Sequence, residues 1–484
     1  MDTTLKSSEK SYRKGQVLEG IVIDSMAAEG KCVARVDGQV IFIDGGAPGD
    51  TVDVSLTKIK KQFLEGRVVK IVSLSPSRTT PFCIHFGTCG GCSWQHIEYT
   101  SQLDYKHRQV VDNLERLGGL KLPGVNPIMG SGHIKYYRNK LDFTFSANRW
   151  LTKDEMTKGI ASGEPALGYH IPRMYDKVFD VKECHLQPDP SNAIRLAVKE
   201  ICVREQIPFF DLRKQIGFLR TLTIRTTGDG REAMIILQVT YDKWEWTGKI
   251  LEELEQRFPQ ITSFQFVING KKNDTFADLD IQTWKGNSFI TERMTKPDKS
   301  GELQFRVGPK SFYQTNSLQA QRLYQVAWEY AQLTGDEVVY DLYTGTGTIA
   351  CFVAAHAKKV VGLEYVAAAV EDAKVNSKLN GLNNTEFFAG DIKDLLDDSF
   401  LQQHGRPDVV ITDPPRAGMH EHVTRMLLKA QPKRIVYVSC NPATQARDLA
   451  ILSENYVITK VQPVDMFPHT VHVENIVALE YVGR

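Results

Sequence analysis

Ile435-Val436-Tyr437-Val438-Ser439-Cys440-Asn441-Pro442 reads as a buried β-strand running into a tight turn. The β-branched and aromatic run suits a packed, pleated strand, and the proline, which has no amide proton to give a ladder, closes it. Cys440 is thereby left at the carboxyl end of a strand, the end of an open α/β sheet at which ligands bind. Cysteine is also a common small core residue, so position and neighbours must decide between reactivity and packing.

Working outward, strands are expected at 337–343, 360–365, 385–390, 408–412 and 434–440, with helical patterns between them and an amphipathic helix at 317–333 in front. That alternation implies a parallel, doubly wound α/β sheet with crossover helices. Two last strands, 456–463 and 473–481, follow without a helix between them. The first strand runs into Asp341-Leu342-Tyr343-Thr344-Gly345-Thr346-Gly347-Thr348, whose glycines allow a tight strand-to-helix turn and close approach of backbone to ligand. Glu364 ends the second strand, where a carboxylate can accept hydrogen bonds from ribose hydroxyls. Gly345-x-Gly347-x-x-Ala350 also satisfies the relaxed dinucleotide fingerprint, so these residues alone leave an NAD enzyme open. After the fourth strand comes Asp413-Pro414-Pro415-Arg416, in which two prolines stiffen the loop and fix the preceding carboxylate at the mouth of the site.

A chain of 484 residues is too long for one core and implies several domains. A net charge of +1 neither announces nor excludes a nucleic-acid partner, because local basic faces hide in a neutral total. There is no apolar run long enough to span a membrane, and Met1 to Ser11 is polar, without the apolar core of a signal peptide. A cytoplasmic monomer with no membrane association is expected. Eight cysteines in so long a chain point to reduced thiols rather than a disulfide scaffold.

Short strands are expected at 16–24, 31–36, 39–43, 51–60 and 66–73, with Asp37-Gly38 as a two-residue hairpin turn. Five strands at this spacing suggest a small closed barrel of the OB type, on which Lys58, Lys60, Lys61, Arg67 and Lys70 form a candidate phosphate-contacting face. Cys83-x5-Cys89-Gly90-Gly91-Cys92 follows, with Cys184 far downstream. Cysteines separated by two residues can turn two thiolates to one centre, and four thiolates suit zinc or an iron–sulfur cluster. Cys32, Cys202 and Cys351 have no such company and are read as packing residues. The stretch from 94 to 305 mixes helices with strands, including a helix at 102–117, a strand at 140–146 and a pair at 219–226 and 232–240; 148–163 and 269–279 read as surface loops. Lys106, His107, Arg108, Lys135, Arg138 and Lys140 interleave with Tyr136, Tyr137 and Phe143, the mixture of cations and ring faces used on single-stranded RNA.

Taken together the motifs resemble the RNA uracil-C5 methyltransferase family, and the resemblance spans nearly the whole chain. Ser311-Phe312-Tyr313-Gln314-Thr315-Asn316 is similar to its Phe-x-Gln-x-Asn signature, Asp413 to Gly418 to its Asp-Pro-Pro-Arg-x-Gly loop, and Ser439 to Pro442 to its nucleophile motif. The first segment resembles a TRAM domain, an RNA-binding barrel attached to RNA-modifying enzymes. The resemblance implies a multidomain chain: a TRAM (OB-like) barrel at 12–75, an α+β central domain with an iron–sulfur site at 80–305, and a C-terminal α/β doubly wound methyltransferase domain at 306–484. It implies that Gln314, Tyr343, Thr348, Glu364, Asp391 and Asp413 contact S-adenosylmethionine, that Cys440 is the nucleophile and Glu474 the base, and that Cys83, Cys89, Cys92 and Cys184 hold a [4Fe-4S] cluster. A barrel with a cluster resembles the branch acting on large-subunit ribosomal RNA rather than the one acting on the transfer-RNA T-loop.

The chemistry explains why such a family needs both residues. Uracil C5 is a poor nucleophile, so a thiolate must add at C6 before C5 can attack a methyl group, and a base must then remove the C5 proton. Exocyclic amines need no such activation. Inside a stacked helix C5 and C6 are out of reach, so the target base must be flipped out. Deprotonating Cys440 requires an electropositive neighbour, for which Arg416 and His469 are the candidates. The loops at 148–163 and 269–279 depart from the family pattern, as does Thr348 where some relatives carry Asn. Three other readings stand beside this one: the same chemistry on transfer RNA, an iron–sulfur methylthiotransferase, whose cysteine spacing differs, and a non-catalytic RNA-binding factor on a methyltransferase fold.

Overall fold

The computed structural model describes residues 12–27, 30–159 and 163–483. The polar stretch Met1 to Ser11 and residues 160–162 of the 148–163 loop therefore lie outside the described residues. The chain divides into two compact units: one takes the chain up to Phe82 with Ser93–Gln109 and His469–Val471, the other takes Cys83–Cys92, Val110–Pro468 and the end of the chain.

In the first unit, β1 (Val17–Val22), β2 (Ser25–Met26), β3 (Cys32–Val36), β4 (Gln39–Asp44), β5 (Thr51–Ile59) and β6 (Phe63–Ser73) form one sheet in the order β1-β5-β6-β4-β3-β2. Alternate residues of β3, β4, β5 and the start of β6 turn to one side, so Ala34, Ile41, Ile43, Val52, Val54, Leu56 and Leu64 meet with Ile23 in a single core. All five expected strands are present, and β2 is too short to leave a pattern. Asp37 and Gly38 both take positive φ, 50° and 80°, the turn that matches strand twist. Lys58, Lys60, Lys61, Arg67 and Lys70 are exposed. The helix expected at 102–117 begins earlier, as α1 (Tyr99–Asp112), and passes into a π-type turn over Asn113–Leu117. Its Lys106 is fully buried with the ammonium 5.8 Å from the Trp94 ring, so it is not the RNA-facing cation expected of it.

In the second unit a seven-stranded sheet comprises β7 (Lys140–Ser146), β8 (Ala166–Ile171), β9 (Met174–Asp180), β10 (Leu219–Thr226), β11 (Ala233–Val239), β12 (Ile261–Ile268) and β13 (Ile281–Gly286). Only β11 and β12 run parallel, joined by a crossover helix. A short helix, α2 (Lys153–Thr157), interrupts the loop after β7; α3 (Ser191–Arg204) and α4 (Trp244–Arg257) cover one face of the sheet. The hairpin β14 (Ile290–Thr295) and β15 (Glu302–Val307) leads into the C-terminal sheet. Of the aromatic residues expected to face RNA here, Phe143 and Tyr137 are core residues and only Tyr136 is exposed. The 269–279 loop is irregular yet tightly held: the buried Arg220 donates to the carbonyls of Asn269 (3.0 Å), Lys271 (2.5 Å) and Asn273 (3.1 Å) and pairs with Asp274.

The second seven-stranded sheet contains β16 (Val338–Leu342), β17 (Lys359–Glu364), β18 (Thr385–Ala389), β19 (Val409–Thr412), β20 (Arg434–Ser439), β21 (Tyr456–Val464) and β22 (Glu474–Tyr481) in the order β18-β17-β16-β19-β20-β22-β21. β22 is antiparallel to both neighbours and the other ladders are parallel. The helices that accompany it are, in chain order, α5 (Ser317–Ala331), α6 (Thr348–Val353), α7 (Ala367–Leu379), α8 (Ile392–Leu395), α9 (Asp398–His404), α10 (Glu421–Ala430) and α11 (Pro442–Leu452). Alternate residues of one strand face opposite cores, Val339 toward α5 and α6, Tyr340 toward α10 and α11. The chain reverses its direction of sheet-building between β16 and β19, which makes the carboxyl ends of those strands a switch-point crevice. Among the described residues no helix is long and apolar enough to cross a membrane.

Candidate active site

The loop after β16 is pinned from below by Asp341. Its carboxylate accepts from the amide of Ala350 (3.0 Å) and from the hydroxyl of Thr344, and burial raises its pKa to about 7. Gly347 is obligatory here: φ is 78°, and a Cβ would stand 2.9 Å from that of Ala373. Glu364, at the end of β17, accepts from the amides of Gly345 (3.0 Å) and Val366 (2.9 Å), so the carboxylate expected to meet ribose also braces the glycine loop. Asp391 caps a short helix and is held below the usual carboxylate range by Lys393. Tyr343 takes φ 64° beside Gly345, and burial lifts its phenol to about 12. Thr348 opens α6, its hydroxyl 3.4 Å from that of Tyr324. Gln314 is half-buried, and its backbone carbonyl accepts from Asn139 (2.9 Å).

On the other side of the crevice, Ser439 of β20 lies opposite Asn475 of β22, so the next step of this antiparallel register brings Cys440 and Glu474 across from each other. Burial raises the Cys440 thiol to about 11; the fields of Glu474 and Asp413 add to this, and Arg416 opposes it. Burial likewise drives the Glu474 carboxyl well above its ordinary value, again with Asp413 adding and Arg416 opposing. Asp413, at the end of β19, is itself lifted to about 7 by burial. Cys440, Glu474 and Asp413 thus share one electrostatic neighbourhood. His469, the other candidate for activating the thiol, has its ring 3.1 Å from the amide of Gln102 and its own amide on that residue's oxygen.

Residues that the sequence reading passed over hold these groups in place. Gln445 of α11 donates to the carbonyls of Tyr437 (3.0 Å) and Asn475 (3.2 Å) and accepts from the Asn475 amide (2.7 Å), tying β20 to β22 one turn below the thiol. Asp448 accepts from the Tyr437 hydroxyl (2.6 Å) and the Met419 amide (2.8 Å), and Asn441 and Thr444 both donate to the Arg416 carbonyl. Gly418 leaves no room for a side chain: its Cβ would lie 2.7 Å from both Arg447 and Asp448. The only local signal for this grip was the glycine in the Asp413 to Gly418 loop.

The cysteines at 83, 89 and 92 sit in one loop, and Cys184 follows β9. Burial chiefly raises the thiols of Cys83 and Cys89; Cys184 adds to both and Cys83 to Cys89, so these three lie within one another's field. All four are free thiols, and among the described residues no three histidine, cysteine, aspartate or glutamate side chains form a ready metal-binding group. The structure thus brings three of the four expected ligands into one another's field and does not show the four as a metal-binding group among the described residues.

The family model for tRNA (uracil-5-)-methyltransferase matches residues 242–482, and that for the TRAM domain matches residues 13–69. An uncharacterized RNA methyltransferase of Porphyromonas gingivalis is 53% identical, covering 94% of this chain and 98% of its own. Another, of Bacteroides thetaiotaomicron, is 52% identical, covering 94% of this chain and 100% of its own. Among solved structures, the Pyrococcus abyssi tRNA (uracil-54, C5)-methyltransferase in complex with S-adenosyl-L-homocysteine superposes with TM-score 0.73 at 28% identity, over 96% of this chain and 100% of that one.

The electrostatics make a prediction that needs no substrate. With its thiol at about 11, Cys440 should be alkylated by iodoacetamide at a rate that climbs about tenfold per pH unit across the neutral range, and Arg416→Ala should slow it further. Peptide mapping after timed alkylation separates it from the other cysteines; a rate that levels off near neutral pH would contradict the assignment.

Proposed function

The chain belongs to the S-adenosylmethionine-dependent RNA (uracil-5-)-methyltransferase family, and from that membership we propose that it methylates C5 of a uridine in folded RNA through a covalent Cys440 adduct, with Glu474 as the base. The observation that carries this reading is the register that sets Cys440 and Glu474 across from each other beside Asp413.

The residues fit a cationic methyl donor. Asp341, Asp413 and Glu474 are carboxyls whose pKa burial has raised, with Arg416 opposing this at Glu474 alone, so a bound positive charge relieves a strain the site already carries. S-adenosylmethionine supplies an electrophilic methyl group on a positively charged sulfur. Gln314, Tyr343, Thr348, Glu364, Asp391 and Asp413 are assigned to hold it; Gln314 lies in the 311–316 motif and the others stand at or just beyond the carboxyl ends of β16, β17, β18 and β19. The Cys440 thiolate adds to C6 of the flipped uracil, placing the electron pair on the C5–O4 enolate, and C5 would then take the methyl group as its bond to the sulfonium sulfur breaks, leaving neutral S-adenosylhomocysteine. Glu474 removes the C5 proton, and the C6–sulfur bond breaks to return the thiolate and leave 5-methyluridine in the RNA chain. Raised basicity suits Glu474 to that step.

We read 12–75 as the RNA-binding barrel, 80–305 as the central RNA-binding domain and 306–484 as the catalytic domain, with large-subunit ribosomal RNA as the first substrate to test. Transfer RNA is the second reading, supported by the full-length likeness to a transfer-RNA enzyme, which removes domain composition as a discriminator. Cys83, Cys89, Cys92 and Cys184 are proposed to hold a [4Fe-4S] cluster of structural role, on the support of a donor set of four thiols and the mutual field of three of them. No step of the methyl transfer passes through it.

Three measurements test these proposals. RNA carrying 5-fluorouridine should trap an adduct on Cys440, because fluorine cannot leave as a proton; Cys440→Ala should give none, and Glu474→Gln should lower turnover by roughly 10²–10⁴-fold while still forming the adduct. No adduct on ribosomal or transfer RNA would overturn the uracil-C5 chemistry. Binding of S-adenosylmethionine should weaken as pH falls through about 7, because Asp341 and Asp413 then take up protons and stop attracting the cation, whereas S-adenosylhomocysteine, whose sulfur is neutral, should show a flatter profile by calorimetry. Protein purified without oxygen should contain iron and sulfide and show broad visible absorption that Cys89→Ser abolishes; stoichiometric zinc in their place would replace the cluster with a zinc site.

A further inference from the structure

At the end of β10 a cleft is lined by His133, Tyr136, Arg138, Thr226, Asn316 and Leu318 among others. Asn316 belongs to the 311–316 motif, so the cleft opens beside the loop assigned to the methyl donor. Two polar atoms here are left without hydrogen-bond partners. Thr226 is 97% buried, 3% exposed, yet its Oγ1 has none, and neither has the buried Nε of Arg138. Buried hydroxyls and guanidinium nitrogens are almost always satisfied, so a pair of orphans at one cleft points to an absent partner.

Tyr136 supplies an independent observation. Its φ is 54°, a conformation that bulky side chains rarely adopt and that clusters where ligands are handled. The surroundings enforce it: its amide donates to the His185 carbonyl, its hydroxyl lies 2.8 Å from the His185 ring, and the Arg138 amide donates to the Leu186 carbonyl. The outcome is a ring 44% exposed at the rim of the cleft, with Leu318, 55% exposed, also on the lining. The Arg138 guanidinium is steadied over the rings of Phe467 (5.3 Å) and Tyr137 (5.9 Å), which presents it as a fixed donor.

We infer that this cleft receives a second unstacked nucleobase, from a nucleotide flanking the target uridine; the inference rests on the RNA substrate proposed above. The Tyr136 ring offers a stacking face, and Thr226 Oγ1 and Arg138 Nε, which lie beneath the cleft surface, offer hydrogen bonds to the edge of the base once the lining shifts. A ring face combined with edge donors and an acceptor is the chemistry that reads splayed bases. Holding a neighbouring nucleotide out of the stack would also keep the target uridine extruded.

The test is a cycle between protein and RNA. Transcripts that the wild-type protein methylates, ribosomal or transfer, are prepared with single abasic sites at each nucleotide flanking the target. They are assayed with wild type, Thr226→Val and Tyr136→Gly; glycine adopts the observed φ freely, so the last variant loses the ring without new backbone strain. At one flanking position the abasic site should raise KM for RNA roughly tenfold in wild type and have no further effect in Tyr136→Gly, whose KM is already raised by that factor. kcat, thermal stability and affinity for S-adenosylhomocysteine should stay unchanged. Abasic effects that multiply with Tyr136→Gly at every position, or an unchanged KM in both variants, would overturn the inference. A wild-type protein that methylates no transcript would instead remove the uracil-C5 reading, and this inference with it.

Discussion

The antiparallel pairing of β20 with β22 is the constraint on which the site depends. A purely parallel sheet would send the last strand's start to the far end of the molecule. Reversing one strand brings the beginning of β22, with Glu474, to the edge where β20 delivers Cys440. Gln445 then bonds both backbones at once, and Asp448 joins the same helix to the loop that follows Asp413. One helix therefore sets the relative positions of a thiol, a carboxyl and a proline-stiffened loop that arrive from three separate strands. Such positioning from rigid elements is what a near-attack geometry requires.

The same burial that makes this arrangement rigid makes it electrostatically uncomfortable. Acidic side chains gathered out of water hold protons they would ordinarily lose, and the thiol between them resists ionisation. An enzyme poised to receive a cation has reason to be built in this way. The discomfort is confined to the carboxyl ends of the strands, while the strands beneath are continuous apolar core.

How much of this the sequence discloses varies with the physics of each part. Parallel strands buried on both faces leave unbroken apolar runs, so the order of the C-terminal sheet is readable, and Cys440, Asp413 and Glu474 stand beside loops whose glycines and prolines mark them out. The first sheet is readable because Asp37-Gly38 and alternating strands obey local rules. Gln445, Asp448 and Asn139 are not, since each acts through partners distant in sequence and looks like an ordinary polar residue in its own segment. Composition misled where a side chain's direction matters: Lys106, Tyr137 and Phe143 carry the right chemistry for RNA and point into the core. Tyr136, one residue from Tyr137, is exposed because its backbone crosses to positive φ, which no residue-type pattern announces.

Arg220 gives the 269–279 loop an unusual separation of scaffold from display. Its guanidinium lies over Phe210 and gathers backbone carbonyls rather than side chains, apart from Asp274. The path of the loop is thus set largely by one buried residue on β10, whereas Lys272, Asn273 and Thr275 face solvent. Because the Arg220 contacts are mostly to backbone, a change at Lys272 leaves them in place, whereas the Asn273 side chain accepts from the amide and hydroxyl of Thr275. The loop can therefore present a different side chain at Lys272 without needing a new backbone path.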